Sequence, residues 1–442
     1  MTALILTVFV LVYVGMILGG LPFLKLDRTG VALLGAIVLV ASGAIDEEAA
    51  RDAVHVPTLA LLFAFMVISA QLRLSGFYDW VTRRIGALAL TPPALLAVLI
   101  AVTAVLAAVF SNDIVCLAMA PVLAEICLAR RLDPVPFLLA LACSANLGSA
   151  ATLIGNPQNM LIGESLQLSF AGYALSAAVP VVLGLAATWA IIALLTRGRW
   201  DLGEGAARPT TQTDQEPGRT LDRWQSIKGL AVAAGLCAAF LFAPWPRDLV
   251  ALAGAALLLC SRRLHSRQML GLVDWQLLVL FIGLFVVNTA LQQTGLPEHL
   301  VGALAAAGID LYAQAPLFAA TFLLSNLVSN VPAVMLLLPL ATGPEAGTLL
   351  ALASTFAGNL LIVASIANII VVQAAERRGI AIDWRTHARV GLPVTLVTLA
   401  IAAASLGMGA PVDRDAAPLG GLDDDDVGDA RDDQEVAGEG AG

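Results

Sequence analysis

The sequence predicts an all-α polytopic membrane protein: an inverted repeat of five spans plus one re-entrant hairpin in each half, of the elevator type. Three observations predict the repeat. Hydrophobic residues make up 59% of the chain and charged ones only 13%, the balance of a helical membrane protein. Apolar runs long enough to cross lipid recur along the whole chain. And two segments are versions of one another. SNDIVCLAMAP (111–121) and SNVPAVMLLLP (329–339) each open on Ser-Asn within apolar sequence and end on a Pro, so one constant interval relates Ser111 to Ser329 and Pro121 to Pro339. Upstream, Gly76 of RLSGF and Gly295 of QQTGL are related by nearly the same interval. Polar breaks at matching places in two membrane halves are the sequence pointer to a transport site.

The elements follow in order. Apolar runs near 2–22, 29–45, 57–75, 171–195, 228–244, 247–261, 274–293 and 390–409 read as spans, and 134–162 and 346–373 as spans interrupted by polar residues. No Lys or Arg precedes the run at 2–22, so it reads as an attached first span rather than a cleaved signal. Basic clusters at Lys25/Arg28, Arg83/Arg84, Arg130/Arg131, Arg197/Arg199, Arg262/Arg263/Arg267 and Arg377/Arg378/Arg385/Arg389 all face the cytoplasm in one topology, with both termini outside. Glu125, near the cytoplasmic mouth, is expected to pair with Arg130 or Arg131. From Val331 to Ala341 there is room for about 16 Å of helix, half the hydrocarbon core, so 92–128 and 314–341 read as re-entrant hairpins with Ser-Asn at their tips. The domains expected are a first repeat at 1–195, a cytoplasmic linker at 196–227, a second repeat at 228–409 and a disordered acidic tail at 410–442. That tail holds eleven acids against Arg414 and Arg431, which accounts for the whole net charge of −9. The acidity therefore says nothing about the cargo.

Several functions are disfavoured by composition. Cys116, Cys127, Cys143, Cys237 and Cys260 form no CxxC and read as packing residues. His55, His265, His299 and His387 fall in loops or at span ends, and no GxxxxGK[ST] is present. Transport energised by a gradient, or by a separate ATPase subunit, is what this leaves. No cofactor, metal centre or nucleic-acid partner is expected; the coupling ion would be sodium or a proton, and the setting the bilayer of the cell (inner) membrane.

A hairpin tip at mid-membrane exposes carbonyls from one arm and N–H groups from the other, which protein, water or solute must satisfy. Ser111, Asn112, Ser329 and Asn330 add polar side chains there; the plain alternative is that they are helix caps. Each hairpin is followed by a broken span. SANLGSAATLIGNPQN (144–159) contributes Asn146, Gly148, Ser149, Thr152, Asn156 and Asn159, and STFAGNLLIVASIAN (354–368) contributes Gly358, Asn359, Ser365 and Asn368. The interval from Asn146 to Asn359 is the same as that from Thr152 to Ser365, so the halves correspond here too. Unwound carbonyls at such breaks suit a cation; small-residue packing between kinked helices is the competing reading. Asp113 is the one ionisable residue deep in an apolar segment, which makes it the candidate for coupling; a neutral cap is its alternative.

Paired Ser-Asn tips, each followed by a Gly/Asn-rich broken span, resemble the Ion Transporter superfamily, which includes divalent anion/sodium symporters, citrate transporters, arsenical pump membrane proteins and sodium/proton antiporters. GSAATLIGNPQN is similar to the matching motif of the citrate-transporter-like members. The resemblance covers about residues 10–409 and implies scaffold helices flanking a mobile unit, an elevator-like cycle and frequent homodimers. Symporters of carboxylates carry Ser-Asn-Thr at both tips, where this chain has Asp113 and Val331. Asn112-Asp113 is instead similar to the arsenical pump branch, which implies export of arsenite or antimonite, commonly against protons. The function expected is secondary transport of a small inorganic or organic anion or a metalloid, with sodium/proton antiport as an alternative. A passive channel does not require a lone carboxylate, and an intramembrane enzyme lacks HExxH, GxSxG or paired acids.

Overall fold

The computed structural model describes residues 1–21, 24–202, 220–343 and 345–408. Much of the linker and all of the expected acidic tail at 410–442 lie outside the described residues. The first half runs α1 (Thr2–Leu18), α2 (Arg28–Ala41), α3 (Glu47–Asp52), α4 (Val56–Leu74), α5 (Phe77–Gly86), α6 (Pro92–Val109), α7 (Asn112–Ala129), α8 (Pro134–Ser149), α9 (Pro157–Ser165) and α10 (Phe170–Leu195). The second runs α11 (Arg223–Phe242), α12 (Arg247–Leu259), α13 (Ser266–Leu270), α14 (Trp275–Gln292), α15 (Leu296–Ala306), α16 (Gln314–Val328), α17 (Asn330–Leu337), α18 (Ala346–Ala357), α19 (Ile366–Glu376) and α20 (Trp384–Ser405). A two-residue β-ribbon pairing Gly20–Leu21 with Leu26–Asp27 turns α1 into α2.

The second set of helices repeats the first in order, down to the backbone of single residues. Gly76 precedes α5 at φ 72° and Gly295 precedes α15 at φ 69°. A side chain rarely adopts that left-handed region, which is why Gly recurs there. Exchanging the halves maps the packing onto itself: α12 lies along α4 as α2 lies along α14, and α10 lies along α20.

Two helix groups result. In one, α1, α2, α4, α11, α12 and α14 pack on each other. In the other, α6 and α7 line α8, α16 and α17 contact α18, α19 crosses α7 and α8, α9 lies against α17 and α18, and α10 lies along α8, α6 and α20. Short α5 and α15 carry the chain from the first group to the second.

Among the described residues, seven helices are long and apolar enough to cross a membrane: 47–74 and then α6, α7, α10, α11, α14 and α20. The two hairpins are unequal. Both arms of the first are eighteen residues long, about 27 Å each, so length does not mark 92–128 as re-entrant. The second has arms of fifteen and eight residues; the short reach of 331–341 was a property of that copy alone. The spans read at 29–45 and 247–261 shorten to fourteen and thirteen helical residues because both end early, α2 at Ala41 just before Gly43 turns left-handed at φ 68° and α12 at Leu259. Their starts stand near the expected ones, with Asp27 capping α2 by accepting from Gly30 N at 2.8 Å. The linker's start is ordered on the first repeat, where Asp133 N donates to Trp200 O and Leu202 N to Arg131 O.

Glu125 does not pair with Arg130 or Arg131. It meets Arg378 of the second half at 2.8 Å. Arg130 instead donates to the carbonyl of Gly86 at the end of α5 and to those of Leu88 and Leu90 in the loop that follows.

Candidate functional site

The breaks in the two long spans are where the second helix group is most polar. α8 ends at Ser149 and α9 restarts at Pro157, with Asn156 capping it by accepting from Asn159 N at 2.8 Å. In the second half α18 ends at Ala357, and α19 restarts at Ile366 behind Ser365. Glycine permits the break to press against the first tip. A Cβ on Gly148 would meet the backbone of Ala104, and one on Gly155 the carbonyls of Ser149 and Ala107. Thr152 Oγ1 donates to Ala108 O, and Asn112 N to Gly155 O at 3.3 Å. One of the last carbonyls of α6 and the first N–H of α7 are thus satisfied by the break itself.

Asn146 is the centre. Its Nδ2 donates to Asn359 Oδ1 at 2.9 Å and to Asn368 Oδ1 at 3.2 Å, while its Oδ1 accepts from Asn112 Nδ2 at 3.2 Å and Ser365 Oγ at 2.9 Å. Every valence of that amide is used. The bonds join one tip and both broken spans. Asn368 also holds the second break, donating to Gly358 O at 2.8 Å and Leu361 O at 3.0 Å. Asn330 of the second tip lies against Gly358, its Nδ2 close to where a Cβ would sit. On the other side Ser149 Oγ donates to Asn146 O and accepts from Asn156 Nδ2. Asn159 Nδ2 donates to Thr152 O at 3.0 Å.

The buried amides around Asn146 are not all satisfied. Among the described residues, Asn112 Oδ1, Asn330 Oδ1 and Asn359 Nδ2 have no partner, and Asn159 Oδ1, in α9, is unpaired too. Buried polar groups are ordinarily paired, so two acceptors and one donor are left over: one at the first tip beside Asn146, one at Asn359 bonded to it, and one at the second tip against Gly358. Among the described residues, no Lys or Arg bonds to any member of the network.

Of the residues singled out from sequence, Asn112, Asn146, Ser149, Thr152, Asn156, Asn159, Asn359, Ser365 and Asn368 share this network, with Gly148, Gly155 and Gly358 as its close approaches. Ser111, Asp113 and Ser329 are beside it. None makes a side-chain hydrogen bond among the described residues, so neither serine is a side-chain cap. Asp113 sits in the first turn of α7, next to Asn112, half-buried and, among the described residues, without an ion pair. Ser329 adopts φ 79°, ψ 162°, a region that is essentially glycine's and costs about 1–3 kcal/mol, whereas Ser111 is unstrained at φ −55°. Ser329→Gly should therefore raise the thermal unfolding temperature of the purified protein by a few degrees while slowing transport. A lower unfolding temperature would show that the tip is relaxed as it stands.

Sequence reading missed five supports. Thr355 Oγ1 accepts from Asn156 and Gln158, each at 3.3 Å. Tyr173 OH donates to Ala150 O at 2.8 Å and accepts from Asn159 at 3.0 Å. His387, which the sequence placed at a span end, is buried in the first turns of α20, with Nε2 3.1 Å from Asn359 O. As the carbonyl can only accept, Nε2 carries the hydrogen. From the first helix group, Tyr13 OH donates to Asn288 Oδ1 at 2.9 Å, close to Pro332 O of the second tip. A lone polar side chain in an apolar run was the available signal for Tyr173, Asn288 and Tyr13.

Residues 11–357 match the family described as citrate transporter. A transporter of Mycobacterium tuberculosis, described as uncharacterized, is 29% identical over 413 residues, covering 86% of this chain and 94% of that protein. The silicon efflux transporter LSI3 of Oryza sativa is 29% identical over 462 residues, covering 87% and 93%. The crystal structure of the Alcanivorax borkumensis YdaH transporter superposes with a TM-score of 0.54 at 16% identity, over 92% of this chain and 97% of that one, which places the fold. With a family match over most of its length, apolar helices suited to a bilayer and a buried amide network at two helix breaks, this chain belongs to the citrate transporter family of multi-pass membrane transporters.

Proposed function

We propose that the protein is a secondary active transporter of the cell (inner) membrane that exchanges a small, uncharged oxyacid, of the silicic or arsenious type, for protons. The observation that carries this reading is the set of unmatched amide groups around Asn146: Asn112 Oδ1 and Asn330 Oδ1 as acceptors and Asn359 Nδ2 as donor. A solute with several X–OH groups both donates and accepts, and so matches them. A tricarboxylate brings charge to a buried place where, among the described residues, no Lys or Arg bonds to the network, and burying unpaired charge is far more costly than burying a hydroxyl. The name of the rice relative, a silicon efflux transporter, points the same way. Asp113, beside Asn112 and outside every ion pair of the described residues, is the proton's binding group.

In this reading the two halves lie inverted in the bilayer as repeats 1–195 and 228–409, joined on the cytoplasmic side. The tip-bearing helix group slides against the other group in an elevator-like cycle, within a homodimer. A second reading has its own support. Two of the three unmatched atoms around Asn146 are oxygens, which suit sodium, and sodium-coupled anion symport or sodium/proton exchange would use them.

Counterflow in proteoliposomes decides between these. Vesicles preloaded with arsenite, antimonite, silicic acid or citrate should show trans-stimulated uptake for the uncharged acids and none for citrate, without sodium. Sodium-dependent citrate counterflow would establish the second reading, and lithium/proton exchange in the absence of solute would establish antiport.

A further inference from the structure

Two arginines occupy the same place in the two halves. Arg28 opens α2 and Arg247 opens α12, and the interval between them is the one that relates Gly76 to Gly295. Arg247 is fully engaged. Its Nε meets Glu164 Oε1 at 2.8 Å, and its two terminal nitrogens donate to Leu168 O and Gly163 O, each at 3.0 Å. Gly163 and Glu164 lie in the last turn of α9 and Leu168 just after it, so the fork ties the tip-bearing helix group to the other group. The paired side chains are only 14% and 7% exposed, so water competes weakly for them.

Arg28 is half-buried, and among the described residues its Nε has no partner. That is the same atom which, in Arg247, holds the carboxylate. The interval that relates Thr152 to Ser365 in the sequence does not hold in the fold: Asn156 and Ser365 precede α9 and α19, and Asn159 holds Thr152 O as Asn368 holds Leu361 O, an alignment that puts Gln373 at the position of Glu164. Glu376 closes α19 three residues later, and both side chains are exposed. The packing is unequal in the same sense: α9 is seated on α4, while α19 has no comparable seat on the equivalent α14. One of two matching docks is filled.

We propose that Arg247 and Arg28 are alternating latches. Arg247 holds the end of α9 in the state seen here; in the opposite state that fork opens and Arg28 takes the end of α19 through Glu376. This rests on the sliding of one helix group on the other proposed above. Neither arginine bonds to the amide network, so the pair sets the occupancy of the end states and leaves the affinity of the site alone.

The test uses the full chain in lipid nanodiscs with Cys237 and Cys260 changed to Ser and nitroxides attached at Leu257→Cys on α12 and Leu175→Cys on α10. Electron–electron resonance should resolve two distances, one of them that of this structure. Glu164→Gln should lower the share of that distance relative to the other about tenfold, as loss of one charge-assisted bond predicts. Arg28→Gln should raise it, and the charge swap Glu164→Arg with Arg247→Glu should restore the parent ratio. Two distances whose ratio ignores Glu164→Gln, or shifts with it but not with Arg28→Gln, would overturn the latch and leave the sliding intact. A single distance in every variant would overturn the sliding itself, and the latch with it.

Discussion

Asn146→Ala should reduce initial transport rates in proteoliposomes by about 100-fold or more, at equal reconstituted protein. The substitution removes an amide whose four valences are all used, and it strands Asn112 Nδ2, Ser365 Oγ, Asn359 Oδ1 and Asn368 Oδ1 together. Each buried group left without a partner costs about 1–3 kcal/mol, and among the described residues the network is the only polar link between the first tip and the second broken span. Ser144→Ala is the control on the same helix. Ser144 is also buried, but it bonds only to the carbonyls of Ala140 and Leu141 in its own helix, so its loss should change the rate less than about threefold. Equal effects of the two substitutions would mean that α8 tolerates no change, and that Asn146 has no special part.

The largest effect on folding should come from Gly155→Ala. The added methyl would sit on the carbonyl of Ser149 and against that of Ala107, which are backbone atoms that no rotamer change can move. Overpacking of this kind costs about 1–3 kcal/mol and sometimes more. Relief requires the first tip to withdraw and give up the Asn112 N to Gly155 O bond. The yield of monodisperse protein should fall severalfold. Gly235→Ala on α11, where no atom lies within 4 Å of the new methyl, should leave yield unchanged. If Gly155→Ala matched it, the break would be looser than its geometry indicates.

The repeat and the centre of the site were both legible in the sequence, for one reason. Duplication leaves residues at fixed intervals, and Gly76/Gly295 survive where a left-handed backbone favours glycine. Asn146 and Asn359 meet in one network without being equivalent, since Asn146 lies within α8 and Asn359 beyond the end of α18. Lengths were less legible. A run such as 29–45 shows where lipid-soluble residues are but not that the helix ends at Ala41, before Gly43, and the second tip's short arm gave no information about the first. Asp113, the most conspicuous residue to a reader of sequence, is not bonded into the network, because consecutive residues on a helix face different ways. Thr355 and His387 were invisible as site residues, since each serves through bonds to backbone or amide groups that only the folded chain brings near. The sequence marks Arg28 only as part of a basic cluster and Arg247 only as the first residue of a span, and their equivalence emerges when both helices are seen to begin on them.

The measurement closest to the central claim is gradient-driven accumulation in proteoliposomes, for the wild type and for Asp113→Asn, with arsenite and silicic acid as solutes. With an acidic lumen, wild-type vesicles should concentrate the solute above its external level, and a sodium gradient should not replace the proton gradient. Asp113→Asn keeps the shape and polarity of the side chain but cannot ionise, so it should exchange solute across the membrane yet fail to concentrate it. Accumulation by Asp113→Asn equal to wild type, or mere equilibration by wild type whatever the gradient, would contradict the account.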